Sequence, residues 1–576
     1  MSSNVESEEK STAVRQWLAL VFFTAVCLIP FCGKAFHIDD TLFLWAAKHI
    51  QSHPFDPYGF PVNWYGTIKS LSQVMKNPPL NCYFIALVGH LAGWSETALH
   101  LAFLIPALAV ILGTYRLAGF FCKNPLVAAF LTLLSPAFLV SGTTVMCDVP
   151  MLAFWIWAVV LWVRGIEKND FFRLIAATIL IALSAMTKYY GICLIPLLLT
   201  YTIIKKRGFG WWGIYFLIPI AVLGWYQYAT YTLYGRGLLL DAAVYATGWR
   251  AGSGATIFPK TLVGLAFTGG CFLAVLIYAI SMKFKNWMMS GALFTVVLVI
   301  ILIANEKIGR FSLLNNSGGI RWLLIFQIGI FAAVGIGLSV LAIREVVRHR
   351  DADSALLFLW ITGTLLFAAC FNWSVNVRSI LPLTPAAGIL LMRRIEEQGQ
   401  PQKPQQQGKN KKKAPPESAK FQHPGLIRLL CPLIPLALIA LWVAYADFNL
   451  ANSARTTAAE IRRQYSGNRI FFEGHWGFQY YMELQDGRAV NFNNTRDITP
   501  GDILVVPVNN TNIRPFPREI ASPLPDINTN TCKWLTTMHP AVGAGFYTDA
   551  WGPLPFAFGD VPPERYMIYR VNPRRN

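Results

Sequence analysis

The run Trp17-Leu18-Ala19-Leu20-Val21-Phe22-Phe23-Thr24-Ala25-Val26-Cys27-Leu28-Ile29-Pro30-Phe31-Cys32-Gly33, followed by Lys34-Ala35-Phe36-His37-Ile38-Asp39-Asp40, decides how the rest of the chain is read. Trp17 to Gly33 carries no charge and is long enough to enter a bilayer as a helix. It ends in Lys34 without a small-residue cleavage site, so it reads as a retained first span and not a signal peptide. Two adjacent carboxylates stand just past it.

Working outward, the same apolar texture recurs. The chain has 576 residues, 54% hydrophobic and 14% charged, with a mean hydropathy of +0.43; a soluble protein would carry roughly 25% charged residues. Further apolar blocks lie at 97–115, 124–145, 149–163, 174–186, 190–204, 212–233, 261–282, 287–304, 322–343, 355–372, 379–392 and 427–446. With the first block they predict a multi-pass α-helical membrane protein of about thirteen spans. With the N-terminus inside, the inner segments hold 24 basic and 11 acidic residues, so most of the +19 net charge follows the positive-inside rule. Basic residues scattered between apolar blocks make no groove for nucleic acid.

The organisation expected is an inner N-terminus at 1–16, a membrane core at 17–395 with a long first outer loop at 34–96, a disordered basic inner linker at 396–426, a last span at 427–448 and an outer domain at 449–576. The apolar but short 80–94 segment is laid on the outer face as an interfacial helix. The linker is rich in Gln, Pro and Lys. No disulfide or zinc spacing is present among the 10 Cys.

Chemistry is sought at the outer junctions, because the span interiors are nearly free of the acids that mark transporters and proton relays. Asp39 and Asp40 can supply a general base or bind a divalent ion, or one of them can cap the helix that follows. Asp148, in Cys147-Asp148-Val149-Pro150, is either an N-cap or an assisting acid. Lys188, in Thr187-Lys188-Tyr189-Tyr190-Gly191, and Arg378, in Val377-Arg378-Ser379-Ile380-Leu381-Pro382, either snorkel or bind a lipid phosphate. Lys76, Arg236 and Arg250 are weaker cations of the same kind, and Asp241, beside Tyr245 and Trp249, could line an acceptor entry.

At these residues the sequence resembles the integral-membrane glycosyltransferases of the GT-C superfamily, especially the bacterial branch related to protein O-mannosyltransferases and the lipid A aminoarabinose transferase. The likeness rests on Asp39-Asp40 after the first span, Lys76-Asn77-Pro78-Pro79-Leu80 opening an apolar outer helix, Asp148-Val149-Pro150, Thr187-Lys188 with Gly191 and Pro196, and Arg378 before Leu381-Pro382-Leu383-Thr384-Pro385. It departs at Asn77, where the family often has His or Lys, and at Lys188-Tyr189-Tyr190-Gly191, where it has Lys-Gly-Pro. The resemblance implies an enzyme that moves a sugar from a polyprenyl-phosphate or diphosphate donor to a glycan, lipid or protein acceptor on the outer face of the cell membrane, a bacterial inner membrane, usually with inversion. Asp39 or Asp40 would be the base, Asp148 would assist, and Lys188, Arg378 and Lys76 would hold phosphate. The superfamily has metal-dependent and metal-independent members, so a divalent ion is neither required nor excluded. A transporter or flippase of a lipid-linked glycan would use the same apolar groove and outer cations.

After Asp447 the composition is that of a soluble domain. A helix is expected at Ala454–Tyr465, strands at Arg469–Phe472, Ala489–Phe492 and Asp502–Val508, a helix at Trp476–Leu484, and irregular Pro-rich structure after about Arg514. This is a small α/β domain. Phe472-Glu473-Gly474-His475-Trp476-Gly477 follows a strand, where α/β folds bind ligands, so His475, like Asp241 and Arg250, is a candidate for acceptor binding; alternatively the stretch is a tight turn with a packed Trp.

Overall fold

Backbone in an apolar medium must satisfy its own N–H and C=O groups, and every apolar block named above is helical along most of its length. The computed structural model describes residues 2–248, 257–315, 317–398, 425–514, 516 and 519–573; Arg250 and nearly all of the linker lie outside them. Among the described residues seven helices are long and apolar enough to cross a membrane: Ser11–Phe31, Glu96–Ala118, Asp148–Lys168, Lys285–Asn305, Trp322–His349, Ala352–Phe371 and Ile427–Gln464. An eighth span forms if Phe258–Cys271 and Ala274–Ser281, bent by 58°, count as one. The expected count of thirteen is therefore not confirmed. The remaining blocks are shorter, broken or less apolar helices, and proline is the usual interruption: 124–145 is split into Pro125–Leu133 and Pro136–Ser141.

The two ends of the bundle are chemically distinct. At one end, Lys205 pairs with Glu167 and Asp353 at 3.8 and 3.5 Å, Arg393 with Glu345 at 2.9 Å, and Arg348 with Glu397 at 3.2 Å, while Glu396 accepts the backbone N–H groups of Lys123 and Asn124. These ion pairs join helix ends that the charge pattern assigned to the inner side. The opposite end carries Asp39, Asp148, Lys188 and Arg378. The 13-residue helix Leu80–Ala92 packs there, with Asn81 Nδ2 donating to the Val145 carbonyl at 3.0 Å.

The last span and the first helix of the tail are one element. Leu433–Gln464 runs 32 residues without a break, about 48 Å at 1.5 Å per residue, well beyond a hydrocarbon core of about 30 Å. The tail's six-stranded sheet then packs around its far half. Ile470–Phe472 runs parallel to Arg488–Ala489 and Ile503–Pro507, while Glu564–Val571 pairs antiparallel with Ile503–Pro507, Ala521–Pro523 and Ile527–Thr529. The segment after Arg514, expected to be irregular, therefore supplies three of the six strands.

Close backbone approach fixes one central crossing. A Cβ added at Gly335 would strike the Leu265 carbonyl, and one at Gly269 the Phe331 carbonyl, so the helices Ile257–Cys271 and Trp322–His349 touch through glycines, as membrane helices commonly do. Gly335→Ala is expected to cost about 1–3 kcal/mol and to lower the melting temperature of the purified protein by several degrees. Gly363→Ala, at a position with open space around it, should leave that temperature unchanged or slightly raised. Differential scanning fluorimetry of both variants checks the contrast.

Candidate active site

Four charged side chains from four separate junctions meet at the end opposite the inner ion pairs. Arg378 sits in the short helical turn Val377–Ile380, capped by Asn376, whose Oδ1 accepts the Ser379 N–H at 2.8 Å. Its Nη1 donates to Asp39 Oδ2 at 2.6 Å and its Nε to Asp148 Oδ2 at 2.8 Å. Lys188 Nζ donates to the other oxygen of Asp148 at 2.6 Å. Lys188 reaches it because the chain leaves the helix Phe171–Thr187 in extended form and folds tightly back at Gly191, where a Cβ would collide with the Ala185 backbone nitrogen. Each anion is thus paired, as burial requires. The Asp148 side chain is 2% exposed and the Asp39 side chain 32%, so Asp39 is the open carboxylate of the group.

The capping roles weighed from sequence are not the ones adopted. Asp39 occupies the N-cap position of the helix Asp40–Ile50 but makes no side-chain cap bond, and the N-cap before Asp148 falls on Cys147. Asp40 is fully buried and spans two loops: Oδ2 accepts the His37 N–H at 2.8 Å and Oδ1 the Val145 N–H at 3.0 Å. The two adjacent acids therefore do different work, Asp39 facing the charged cluster and Asp40 fastening backbone. Between His37 and Asp39 the chain is strained: Ile38 has φ 48°, a left-handed conformation that is rare for a β-branched residue and costs of order 1–3 kcal/mol.

Lys76 stands with a second group. It donates to Asp241 Oδ2 at 2.7 Å, Arg236 pairs with the other Asp241 oxygen, and Lys76 Nζ lies 5.3 Å from the Tyr245 ring centroid. Burial raises the Tyr65 and Tyr245 phenols, and the nearby Asp39 charge adds to the rise in both, so this group lies near the first. Asp241 is accordingly held between two cations and does not stand alone at an entry. His475 is buried, packs at a tilt against Trp64 with ring centroids 4.5 Å apart and shares a hydrogen bond with Thr511, which matches the packed-turn reading of its motif. Beside Ile38 a cavity of about 40 Å³ lies between the first loop and the tail, lined by His37, Trp476, Asn509, Glu564 and Tyr566 among others; it has room for about two or three waters.

For a metal, the acids of the first loop do not converge, because Asp39 faces Arg378 and Asp40 faces backbone N–H groups. Among the described residues the donor atoms that do converge are those of Glu345, His349 and Glu397, within 4.8 Å of one another at the other end of the bundle, where Arg393, Arg348 and Arg394 already pair with both glutamates. Residues the sequence did not single out also surround the site. Lys34 and Asp447, both fully buried, form an ion pair at 2.5 Å. The signal was available, since Asp447 directly follows an apolar run and an acid inside a span is a functional flag.

Comparison with known proteins bears on the family and not on the geometry of the site. The family model described as dolichyl-phosphate-mannose-protein mannosyltransferase matches residues 76–225, the segment that carries Lys76, Asp148 and Lys188, and it bears out the GT-C glycosyltransferase resemblance of the sequence. None of the curated proteins matches the chain in sequence. Among solved structures the chain is similar to ArnT from Cupriavidus metallidurans bound to undecaprenyl phosphate, with 11% identity and a TM-score of 0.41 over 85% of this chain and 93% of that one. It is also similar to the apo oligosaccharyltransferase of Archaeoglobus fulgidus, with 12% identity and a TM-score of 0.47 over 84% of this chain and 65% of that one. At those scores the two likenesses carry no part of the argument about the site.

Burial raises the Asp40 carboxyl from 3.8 to about 7, against the opposing pull of its backbone donors and of Lys34. A buried acid whose folded pKa is raised binds its proton more tightly when folded, so its contribution to stability is present below about pH 4 and is lost as pH rises through 7. The melting temperature is therefore expected to fall between about pH 5 and 8, and Asp40→Asn should flatten that slope. Thermal melts of both proteins across the pH range check it.

Proposed function

We propose that this GT-C type membrane glycosyltransferase moves a sugar from a polyprenyl-phosphate donor to a hydroxyl of a glycan, lipid or protein acceptor, with inversion and with Asp39 as the base. The observation that carries the reading is the division of labour among the three acids. Both oxygens of Asp40 are bonded to backbone N–H groups, and both oxygens of Asp148 to cations. Asp39 alone combines an accessible carboxylate with a cation that orients it. A base must lie within hydrogen-bond reach of the proton it removes, and of the three only Asp39 is open to an acceptor hydroxyl.

Charge counting supports the place of the phosphate. The cluster of Asp39, Asp148, Lys188 and Arg378 is neutral, whereas Lys76 and Arg236 share the single carboxylate of Asp241 and leave one positive charge over. Lys76 and Arg236 hold the donor phosphate in this reading. Lys188 and Arg378, expected as phosphate ligands, are spent on the carboxylates of Asp148 and Asp39. The phosphate leaves as an anion, so the leaving group needs cations and not a general acid. His475 and Arg250 carry no part of the proposal.

The positive-inside charge pattern supports placing this end of the bundle, and the tail with it, on the extracytoplasmic face; the GT-C branch resembled supports a bacterial inner membrane. In nanodiscs supplied with polyprenyl-phosphate sugars, Asp39→Asn is expected to lose about 10²–10⁴-fold in transfer while still binding undecaprenyl phosphate. Undiminished transfer by that variant overturns the assignment of the base, and movement of donor lipid across the bilayer of sealed proteoliposomes without glycosyl product favours a flippase. Lys76→Ala and Arg236→Ala should each weaken undecaprenyl phosphate binding by about tenfold or more, the value of a hydrogen bond to a charged group, as read by native mass spectrometry.

A further inference from the structure

We infer that Lys34 and Asp447 are positioning residues, and that through them the C-terminal domain forms an integral part of the site that carries Asp39 and Asp148. The inference rests on the reading of those two acids given above, and it assigns a role to the tail.

The buried pair is the hub of a hydrogen-bonded node. Lys34 Nζ donates to Asp447 Oδ2 at 2.5 Å and to Thr143 Oγ1 at 3.1 Å. Asp447 also accepts the Thr537 hydroxyl on Oδ1 at 2.6 Å and the Tyr547 hydroxyl on Oδ2 at 2.9 Å. Four parts of the chain therefore meet in one fully buried spot: the end of the first span, the loop before Asp148, the last span, and the tail. Lys34 is five residues before Asp39, and Thr143 five before Asp148.

Three rungs then join the loop 34–40 to the loop 143–148. Lys34 to Thr143 is the lowest. Asp40 to the Val145 N–H is the next. Arg378, bonded to both Asp39 and Asp148, is the third. The left-handed Ile38 lies between the first two rungs, and strained backbone persists only where its surroundings over-determine it. The tail braces the third rung as well. Val377 N–H donates to the Phe546 carbonyl at 2.9 Å, Asp549 N–H to the Val375 carbonyl at 2.8 Å, and the Ser374 hydroxyl to Asp549 Oδ1 at 2.8 Å. The same stretch that supplies Tyr547 thus fixes the turn that presents Arg378.

A buried ion pair is a poor source of stability, because desolvation of both charges offsets their attraction, and it is better suited to defining one arrangement among several. Ordinary apolar packing would join the tail to the core just as firmly. The charged node specifies in addition how the two loops stand to each other.

The test uses the full-length protein in nanodiscs and reads hydrogen–deuterium exchange together with kinetics. Lys34→Met and Asp447→Asn are expected to speed exchange by about tenfold in peptides covering 36–42 and 143–149, and to leave the distant 344–353 peptide unchanged. In the same variants kcat should fall by about tenfold or more with KM for the donor within about twofold. If either variant fails to accumulate, Thr537→Val and Tyr547→Phe remove only the tail's hydroxyls and should give the same pattern more weakly. Exchange that is unchanged, or uniformly faster along the chain, overturns the inference, as does a rise in KM at constant kcat. Exchange is measured whether or not sugar is transferred, so a wild-type protein without transferase activity refutes the proposed function while the exchange pattern still decides this one.

Discussion

One guanidinium joins the parts of the molecule that make the candidate site. Arg378 bonds to carboxylates 339 and 230 residues away in the chain, and its planar fork can reach both only if three helix ends arrive within a few ångströms of each other. The remaining architecture meets that condition. The helices Asp40–Ile50 and Asp148–Lys168 begin at the site, the helix Phe171–Thr187 ends there, and the turn carrying Arg378 precedes the helix Thr384–Gln398. The negative side chains at the first residues of two of those helices also lie where the helix dipole favours anions.

Graded exposure gives this network its direction. Asp148 and Asp40 are sealed and fully bonded, while Asp39 is bonded on one side and open on the other. A site in which all three acids were buried would be a structural ion cluster, and one in which all were open would have no fixed geometry. The strained Ile38 marks the point where the chain changes from the sealed surroundings of Lys34 and His37 to the open one of Asp39.

Much of this was legible in the sequence, because charge at the end of an apolar block is rare enough to be noticed. Asp39, Asp148, Lys188 and Arg378 were found by that rule, and the structure brings all four together. The different tasks of Asp39 and Asp40 were not legible, since neighbouring residues in a turn point in directions that only the fold decides. Lys34 and Asp447 were overlooked for a related reason: each stands at the edge of an apolar run, so each reads as a boundary. The helix Leu433–Gln464 in fact continues past Asp447, which places the acid in the interior. The strand Glu564–Val571 was missed although Tyr566 and Ile568 alternate in burial with Arg565, Met567 and Tyr569, because the prolines before it favoured an irregular reading. The count of thirteen spans is not confirmed, because hydropathy registers apolar blocks without regard to whether each forms one long unbroken helix.

The separation of the two charged groups has a consequence for transfer. Unit charges 5 Å apart attract or repel by about 3 kcal/mol at an effective dielectric constant of 20, so a phosphate near Asp39 is opposed by that carboxylate about as strongly as Arg378 attracts it. The neutral cluster alone therefore offers a phosphate little net binding. The surplus charge of Lys76 and Arg236 changes this balance, and its effect grows during the reaction. As the glycosidic bond breaks, a phosphodiester with one negative charge becomes a monoester approaching two, and cations placed beside it stabilise the departing state more than the bound donor. Interactions that strengthen toward the transition state raise the rate, whereas those equal in both states raise only affinity. On the proposed reading, a balanced cluster to hold the base and a positive neighbour to receive the phosphate make an arrangement better suited to transfer than to storage of the lipid.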